Sequence, residues 1–491
     1  MTKSATVDGG VPAVRGGVWD LLVIGGGTAG LVAARTAASF GASVLLVERD
    51  RTGGDCLWTG CVPSKALLAA ASAAAHARAA GRFGVHVDGV RVDFAAVMAH
   101  VHAAIATIEP VDSPQTLRAA GVAVAHGTAR FTGPDTAQVD GVAVQFRHAL
   151  VATGSDSVVP PILGVGDTSA ATVLTSDTMW GLTELPARLV VLGGGTIGCE
   201  LGQAFGRLGS QVTIVEAAER LLLDEDVDAA RLVTDALVGD GVTVMVGTPV
   251  TAVEGAGGSA EVVLADGRRV PADVVLMAVG RRPDTRELGL DAAGAATDEA
   301  GFVVVDAQLR TTNAAIWAAG DVTGHPGFTH VAGVHGSTAA TNAVLGLHRK
   351  ADLLIPRVTF TSPEVAAVGA ATGHTVRTYP HSEVDRAVSE ADTAGFSRLV
   401  LDRRGRLIGA TVVGPRAGET LAELTLAIRR GLRARDLAAT MHPYPTFGDG
   451  PWNAAITDVR TRLSSAPART AVRALAGVRR RWTGRPAAAR S

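Results

Sequence analysis

The sequence predicts an α/β protein in which a strand–helix–strand unit occurs twice and a smaller α+β domain follows. Three observations support this prediction. The chain has 491 residues, which suits two to four domains. A Gly-rich segment near the N-terminus is repeated in the middle of the chain. From Val358 onward the pattern changes to short strands (RLVLD, LIGATVVG) followed by a helix over about 417–432.

The internal repeat covers residues 21–48 and 189–216, which align without a gap. The first copy reads LLVIGGGTAGLVAARTAASFGASVLLVE and the second reads LVVLGGGTIGCELGQAFGRLGSQVTIVE. Each copy is an apolar strand, a Gly-rich turn, a segment with helical periodicity and a second apolar strand that ends in Glu. This order is typical of a βαβ unit. Between the second unit and the C-terminal pattern, alternation over 250–269 predicts a hairpin.

The glycines of each copy have the spacing of a dinucleotide-binding turn. The first permits a tight turn, the second lets the backbone approach a pyrophosphate, and the third lets the helix pack close to the strand. These positions are Gly25, Gly27 and Gly30 in the first copy and Gly193, Gly195 and Gly198 in the second. Glu48 and Glu216 end the second strands, where a carboxylate can accept hydrogen bonds from a ribose. One such turn is weak evidence, but two complete units predict two dinucleotides, one reducing the other.

Glu216 also bears on which nicotinamide nucleotide binds. A carboxylate at this position would repel the 2′-phosphate of NADP, whereas an Arg would attract it. The sequence therefore favours NAD(H) over NADP(H), although Arg220 is close enough to keep the question open.

Composition narrows the class of protein. The formal net charge of −2 gives no indication of nucleic-acid binding. Three Cys are too few for a secreted disulfide scaffold of this length. The N-terminus has no apolar core like that of a signal peptide, and the Ala-rich run 66–75 is too short to span a bilayer. We expect a cytoplasmic protein, in which a close Cys pair is catalytic or metal-binding rather than structural.

The C-terminal segment 459–491 is rich in Arg. It contains no Asp or Glu and carries Arg at 460, 462, 469, 473, 479, 480, 481, 485 and 490. We expect a solvated, poorly ordered tail. Contact with a membrane surface or another polyanion is the alternative.

Residues 53–68 read GGDCLWTGCVPSKALL and contain two of the three Cys. Cys56 and Cys61 precede an expected helix start, where Pro63 suits the first turn. The positive end of the helix dipole and a nearby cation lower the pKa of a thiol from about 8.5 and favour the reactive thiolate. Two packed cysteines or half of a zinc site are the alternatives, but no second Cys/His pair follows at zinc spacing. Cys199 is expected to be buried and inert.

This segment is similar to the redox-disulfide signature of the FAD-dependent pyridine nucleotide–disulfide oxidoreductases. That family includes dihydrolipoamide dehydrogenase, glutathione reductase and mercuric reductase. Further segments resemble family motifs in the same order: ATGSD (152–156), AVGRRPDT (278–285), TTNAAIWAAGDVTG (311–324) and IPRVTFTSPEVAAVG (355–369). The resemblance covers roughly residues 19–455.

The resemblance implies how the chain is divided. An FAD-binding domain would comprise 19–156 and 286–350, with an NAD(P)-binding domain at 157–285 between its two parts. A dimerisation domain would occupy 351–458, and the active site would be shared across a homodimer interface.

The resemblance also implies a mechanism. Reduced nicotinamide would give a hydride to the flavin, which passes two electrons to a disulfide between Cys56 and Cys61. Cys61 would lie nearest the flavin and form a charge-transfer contact, while Cys56 would be the outward thiol that attacks substrate. Lys65 would lie by the flavin and pair with Glu200 near the nicotinamide. For both residues, an ordinary charged position on a helix surface is the alternative.

Other positions match family contacts to the cofactors. Gly127 corresponds to a backbone contact to the adenine part of FAD, and Asp321 to a contact with the ribityl chain. The remaining matched positions are Thr153, Gly154 and Ser155 for FAD, and Thr196, Ile197 and Gly280 for NAD.

The C-terminal motif departs from the family pattern. In the disulfide reductases, HxHPTxxE supplies a His–Glu acid/base pair from the partner subunit. Here Tyr444 stands where the catalytic His belongs, Asp449 stands where the Glu belongs, and His442 matches the usually non-catalytic His. A Tyr titrates near 10 and is mostly a donor at neutral pH. Tyr at this position resembles the mercuric reductase branch, as does DRAVSEADTAGF (385–396), yet no Cys pair follows Cys199 to receive a metal.

These observations leave three functional hypotheses. The first is an NADH-dependent flavin disulfide oxidoreductase of the mercuric reductase-like branch, with a metal ion, a small disulfide or a quinone as acceptor. The second is a dihydrolipoamide dehydrogenase that uses His442 as a displaced base. The third, from another class, is a redox sensor that binds FAD without turnover.

Overall fold

The computed structural model of the protein describes residues 10–13, 15–164, 172–256 and 259–483. Its strands are β1 Val18–Ile24, β2 Val44–Glu48, β3 Val122–His126, β4 Ala129–Phe131, β5 Thr136–Val139, β6 Val142–Val151, β7 Ser155–Ser157, β8 Thr172–Thr175, β9 Arg188–Leu192, β10 Gln211–Val215, β11 Thr243–Met245, β12 Val250–Ala256, β13 Ser259–Leu264, β14 Arg269–Ala272, β15 Val274–Met277, β16 Arg281–Pro283, β17 Ile316–Ala318, β18 Arg357–Thr359, β19 Glu364–Gly369, β20 Thr375–Pro380, β21 Phe396–Leu401 and β22 Leu407–Gly414.

The helices are α1 Thr28–Ser39, α2 Gly54–Trp58, α3 Cys61–Ala79, α4 Phe94–Asp112, α5 Pro114–Ala119, α6 Thr196–Leu208, α7 Val227–Gly239, α8 Leu290–Ala293, α9 Thr329–Leu345, α10 Asp385–Ser389, α11 Ala417–Arg429, α12 Ala434–Ala439, α13 Asp449–Leu463 and α14 Ala466–Thr483. Short 3₁₀ turns cover Ala80–Phe83, Met179–Gly181, Asp321–Thr323 and His381–Glu383.

The first sheet is built around the first copy of the repeat. Its strand order is β3-β2-β1-β6-β5-β4, and β17 pairs with β6. β1 is parallel to both β2 and β6, as expected for a βαβ unit. The inner strands read as continuous apolar runs because they are buried on both faces of the sheet. Since β17 follows the second repeat in sequence but joins this sheet, residues 316–318 return to the first domain.

The second sheet repeats the arrangement with the second copy. Its order is β11-β10-β9-β15-β8, and all of its pairings are parallel. The antiparallel sheet β12-β13-β14 confirms the hairpin expected over 250–269. β7 and β16 pair as a short antiparallel ribbon beside the two sheets. The predicted α/β fold class with two Rossmann-like units is confirmed.

The described chain separates into two compact units. One contains residues up to 223 together with 237–353, and the other contains 224–236 together with 354 onward. The second unit has the antiparallel order β18-β19-β22-β21-β20, and its core includes Leu421 and Leu424 of α11. These elements confirm the strands and the helix that the sequence predicted after Val358.

Residues 224–236 belong to the second unit, although the resemblance places them within the NAD(P)-binding domain. Ion pairs connect this segment to the strands of that unit. Arg398 bonds both Asp226 and Asp228, and Arg357 lies 2.7 Å from Glu225. Acidic side chains at the start of α7 therefore form ion pairs with Arg residues of β18 and β21, which lie more than a hundred residues later in the sequence.

The described part of the tail over 459–491 is solvated, as expected, and it is helical. α13 continues to Leu463 and α14 covers Ala466–Thr483. Ala and Arg have high helix propensity, which accounts for a helix in a strongly basic segment. Within α13, Asp458 also pairs with Arg462 one turn later. Arg485 and Arg490 lie outside the described residues.

One segment, 94–119, is long and apolar enough to cross a membrane by length and composition. The structure divides it between α4 and α5, with Ser113 in an extended conformation between them. Phe94, Met98 and Val101 of α4 are buried. A single partly buried helix of this kind is weak evidence of a membrane span.

His381 predicts an acid-sensitive C-terminal unit. Its ring is fully buried, its Nε2 lies 3.0 Å from Ser397 Oγ, and burial lowers the pKa of His381 to about 4. An unfolded His titrates near 6.5, so the unfolded chain takes up the proton first as pH falls. We expect stability to be lost between about pH 6.5 and about pH 4, with His381 contributing about 3 kcal/mol. Urea unfolding of the wild type and His381→Asn at several pH values measures this contribution.

The control for this prediction is His374→Asn, which changes an exposed His of the same unit. It should leave the pH dependence of the unfolding free energy unchanged. Identical pH slopes for the wild type and His381→Asn would contradict the prediction.

Candidate active site

The first glycine of each copy makes the tight turn for which it was predicted. Gly25 and Gly193 have φ of 104° and 109°, in the region that favours glycine. A Cβ on Gly25 would lie 2.3 Å from the carbonyl oxygen of Ala152, and one on Gly193 would lie 2.3 Å from that of Ala278. In each turn the glycine backbone therefore lies in close contact with the residue that follows the neighbouring strand, β6 in the first sheet and β15 in the second.

The third glycine of each copy allows close packing of the helix. A Cβ on Gly30 would lie 1.9 Å from the carbonyl oxygen of Gly25, and one on Gly198 would lie 2.0 Å from that of Gly193. The middle glycines, Gly27 and Gly195, are the N-caps of α1 and α6. They have no side-chain cap, so the first N–H groups of each helix stay available to an anion. Thr196 and Ile197 form the first turn of α6.

The two strand-end glutamates are held in the same way. Glu48 accepts hydrogen bonds from the N–H groups of Gly26 at 2.6 Å and Asp50 at 2.8 Å. Glu216 accepts them from Gly194 and Ala218 at the same two distances. A carboxylate has about four acceptor positions, so each still has capacity for ribose hydroxyls.

Arg220, which left the choice of nucleotide open, is engaged locally. Its guanidinium donates to the carbonyl oxygens of Leu221, Leu222 and Leu223. These three hydrogen bonds are therefore directed at its own loop.

A cavity of about 170 Å³ adjoins Glu48. Val124, Ala125 and Trp58 contribute apolar walls, and Arg51 lies 4.0 Å over the Trp58 ring. Gly127, at the next turn, donates its N–H to the carbonyl of Glu48 at 2.9 Å and has φ of 154°. A carboxylate beside a cavity with apolar walls suits a ribose and an adenine ring, so these residues fit the adenosine half of FAD.

The ribbon of β7 and β16 brings together the other FAD positions. Ser155 Oγ donates to Asp321 Oδ2 at 3.1 Å, and Thr153 Oγ1 donates to the carbonyl of Asp284 at 2.7 Å. Gly154 and Gly280 have φ of 73° and 122°, and a Cβ on either would meet no atom within 4 Å. The segments ATGSD and AVGRRPDT thus meet at one place in the fold, next to Asp321.

The two thiols of the redox segment are adjacent in space. Cys61 is the first residue of α3, with Pro63 in its first turn as expected, whereas Cys56 lies in the short helix α2, which the sequence did not predict. Both are free thiols in this structure, and they lie close enough for each to shift the pKa of the other. Cys61 Sγ also lies 3.2 Å from the hydroxyl of Thr329, the first residue of α9. Sequence reasoning missed Thr329 because nothing in its local pattern marks it.

Hydrogen bonding makes the two thiols unequal. The S–H of Cys56 donates to Cys61, and this bond lowers the pKa of Cys61 to about 6 against the opposing effect of burial, with Thr329 and Lys65 assisting. The same bond, together with burial, raises the pKa of Cys56 far above its usual range. At neutral pH the dithiol therefore holds its negative charge on Cys61 and its proton on Cys56.

The two thiols differ in their exposure. Cys61 is exposed and Cys56 is half-buried within this subunit. An outward role for Cys56 therefore stays a prediction. Cys199 is fully buried, as expected, and burial raises its pKa to about 12.

Lys65 and Glu200 form an ion pair, with Nζ 2.9 Å from Oε2. Glu200 is only 4% exposed, so the alternative of a surface charge is wrong for it. The pair joins α3, which begins at Cys61, to α6 of the second nucleotide-binding unit.

Arg281 organises a charged cluster that sequence reasoning missed. Its guanidinium lies 3.2 Å from Asp55 and 3.0 Å from Asp177, and it donates to the side chain and carbonyl of Ser155. Asp55 directly precedes Cys56 and also accepts a hydrogen bond from Thr59. Burial raises the pKa of Asp55, although Arg281 opposes this effect. The only signal in the sequence was that Arg281 lies in AVGRRPDT and Asp55 in the redox segment.

The C-terminal motif residues have partners different from those expected. Tyr444 donates to Asp385 Oδ2 at 2.6 Å, not to Asp449, and this bond raises the pKa of Tyr444. Asp449 is buried at the start of α13, and its Oδ1 has no partner among the described residues. Tyr444 and Asp449 are therefore not joined in the way that a family His–Glu pair would be.

His442 is 6% exposed, and both of its ring nitrogens are engaged. Nδ1 lies 2.9 Å from the carbonyl of Thr440, Nε2 lies 3.1 Å from Glu423, and the ring packs against Trp452 at 5.7 Å. A base that must reach a substrate needs a nitrogen that is free to do so, and this geometry does not provide one.

Comparison with known families agrees with this geometry. Residues 19–336 match the model for pyridine nucleotide-disulphide oxidoreductases, and 355–455 match the dimerisation domain of the same family. A mercuric reductase from Streptomyces lividans is 40% identical over 450 residues, which cover 88% of this chain and 94% of that protein. A dihydrolipoyl dehydrogenase from Thermus scotoductus is 36% identical, covering 89% of this chain and 96% of that protein.

Solved structures show the same similarity at 28% identity. LpdA from Mycobacterium tuberculosis superposes with a TM-score of 0.82, covering 91% of this chain and 100% of that one. RclA from Escherichia coli, an HOCl-induced flavoprotein disulfide reductase, superposes with a TM-score of 0.79, covering 89% of this chain and 99% of that one. With its glycine turns, its FAD-compatible cradle and its adjacent thiols, this chain belongs to the pyridine nucleotide-disulphide oxidoreductase family and is an NAD(P)H-dependent flavoprotein disulfide oxidoreductase of the mercuric reductase and lipoamide dehydrogenase type.

Proposed function

We propose that this enzyme passes two electrons from NADH to the Cys56–Cys61 pair and from there to a soft metal ion. The single observation that carries this proposal is the placement of Cys61 at the start of α3, with Cys56 beside it and the Thr329 hydroxyl 3.2 Å from its sulfur. Gly25, Glu48, Lys65 and Asp321 would hold the FAD. Bound FAD supplies the two-electron relay between the nicotinamide and the disulfide.

The chain's own residues manage charge and protons around that relay. Two electrons and one proton convert the disulfide to a Cys61 thiolate and a Cys56 thiol. The Thr329 hydroxyl and the Lys65 ammonium both stabilise the thiolate. Glu200 orients the ammonium through its 2.9 Å contact. Oxidation of the dithiol by an acceptor then restores the disulfide and releases the proton from Cys56.

A metal ion is the acceptor that best suits the motif around Tyr444. The hydrogen bond to Asp385 keeps Tyr444 protonated as a donor, so it is a poor base for thiol–disulfide exchange. A soft metal ion can bind the Cys61 thiolate without such a base, because thiolates are soft ligands, and a bound metal ion itself favours loss of the proton from the second thiol. The names of relatives support this class of acceptor: the Streptomyces lividans protein is a mercuric reductase, and RclA is also described as a Cu(II) complex.

Dihydrolipoamide oxidation is the second candidate, since several relatives are dihydrolipoyl dehydrogenases. The engagement of both His442 nitrogens weighs against it. An FAD-binding redox sensor without turnover is the third candidate.

Anaerobic reduction and an acceptor panel test the proposal. FAD-loaded wild type titrated with NADH should show a long-wavelength absorbance band at two-electron reduction, and the band should vanish in Cys61→Ser. Mercuric ion, Cu(II), a quinone and lipoamide are then compared as acceptors for the wild type and Cys56→Ser. Metal-ion reduction lost in Cys56→Ser supports the proposal. If lipoamide is the best acceptor, dihydrolipoamide oxidation replaces the proposal. If no acceptor is reduced, the redox sensor replaces it.

Glu216 is expected to set the preference for NADH. Its carboxylate is fixed at the second turn by Gly194 and Ala218, and it would repel a 2′-phosphate. We expect Glu216→Gln to raise kcat/KM for NADPH about tenfold, which is the order of one lost charge–charge repulsion. Steady-state rates with both nucleotides measure the change. Glu219→Gln, which removes an exposed charge nearby, is the control, and an equal gain in both variants would rule out a specific role for Glu216.

We also propose that the enzyme is a cytoplasmic homodimer whose active site is shared between subunits. The matched dimerisation domain supports the dimer. No nucleic-acid partner is expected, because the net charge is −2.

A further inference from the structure

The helix α14 lies beyond the part of the chain that matches the family, which ends at residue 455. Its large apolar residues recur at helical spacing: Val472, Leu475, Val478 and Trp482. At about 100° per residue these positions share one face of the helix. Their exposed fractions are 50%, 70%, 59% and 81%. The face is thus an apolar ridge that the described residues of this subunit leave open.

The opposite face is strongly basic. Arg469, Arg473 and Arg480 lie together on it by the same periodicity, Arg481 lies between it and the ridge, and Arg479 falls on the ridge side between Val472 and Leu475. The long side chain of Arg479 can extend from there to the headgroup level. The sequence from residue 459 onward contains no Asp or Glu. α14 therefore differs from α13, whose buried Asp458 pairs with Arg377 and Arg462.

We propose that α14 binds the surface of an anionic phospholipid bilayer, with Val472, Leu475, Val478 and Trp482 inserted at the boundary between headgroups and acyl chains. The Arg side chains would then contact lipid phosphates. A basic amphipathic helix with a Trp on its apolar face has the composition of an interfacial helix. Its 18 residues span about 27 Å, which is long enough to lie in the plane of the interface.

Charge complementarity favours lipid over other occupants. A second copy of α14 would bring Arg against Arg, and the segment offers no acidic residue to compensate. A nucleic acid would neutralise the Arg face but would leave the apolar ridge in water. An anionic bilayer satisfies both faces at once.

Vesicle binding by the full-length, FAD-loaded protein tests this inference. The protein should sediment with vesicles of phosphatidylglycerol and phosphatidylcholine but not with phosphatidylcholine alone, and added salt should weaken the binding. Leu475→Asp should weaken vesicle affinity about a hundredfold, because it removes a buried apolar side chain and adds a repelled charge. Thr470→Asp adds the same charge on the opposite face and should weaken it only about fivefold.

Three results would overturn the inference. The first is the absence of binding to anionic vesicles. The second is an equal effect of Leu475→Asp and Thr470→Asp combined with competition by duplex DNA, which would indicate a general polyanion site. The third is a change of oligomeric state in Leu475→Asp by light scattering, which would indicate a second copy of the chain. Unchanged NADH oxidation in both variants confirms that they fold. The vesicle measurement does not depend on the acceptor, so it stands apart from the proposed function.

Discussion

Cys56→Ala is expected to lower the rate of acceptor reduction about a thousandfold or more. The same substitution is expected to raise the pKa of Cys61 above its value of about 6. Both effects have the same origin. Cys56 supplies one of the two sulfurs of the disulfide, and its S–H is also the main donor that stabilises the Cys61 thiolate. The rate of alkylation of Cys61 by iodoacetamide against pH measures the second effect, since the thiolate is the reactive form. Cys199 will not interfere because it is fully buried.

Cys56→Ser is the matched control. It removes the redox-active sulfur but keeps a hydroxyl that can donate to Cys61. We expect it to lose acceptor reduction as completely as Cys56→Ala while shifting the alkylation midpoint much less. Identical midpoints in the wild type and Cys56→Ala would show that the hydrogen bond between the thiols does not set the pKa of Cys61.

Arg281→Met is expected to destabilise the protein by about 2–3 kcal/mol. The substitution keeps the length and the apolar stem of the side chain but removes the cation that faces Asp55 and Asp177. The free energy of unfolding falls because the two carboxylates are left partly buried without a cation to balance their charge. This loss of stability is smaller than the roughly 3–5 kcal/mol typical of a broken buried ion pair, because the side chain of Asp55 is 45% exposed and keeps contact with water. Urea unfolding at neutral pH measures the change in the free energy of unfolding.

Two further variants separate charge pairing from general damage. Arg282→Met removes the neighbouring exposed Arg and should change stability by less than about 0.5 kcal/mol. Adding Asp177→Asn to Arg281→Met should restore part of the loss, because one of the unpaired charges is removed. A double variant less stable than Arg281→Met would contradict the role assigned to the ion pair.

The sequence by itself determined the parts of this enzyme that depend on local spacing. The two βαβ units, the glycine turns, the glutamates at the strand ends and the start of α3 at Cys61 all follow from short-range periodicity or from the special conformations of glycine and proline. The equivalent contacts of Glu48 and Glu216 show how closely the two copies of one pattern fold into one geometry.

Only the tertiary structure decided which side chains meet across the fold. Thr329 lies 268 residues from Cys61 in the sequence, and Tyr444 lies 59 residues from its partner Asp385. Arg281 contacts Asp55, although the two residues belong to different motifs of the sequence. The exposed ridge of α14 likewise required the packing of the C-terminal unit to be known. Such contacts depend on how strands and helices are placed in space, and periodicity within a segment of sequence carries no record of that placement.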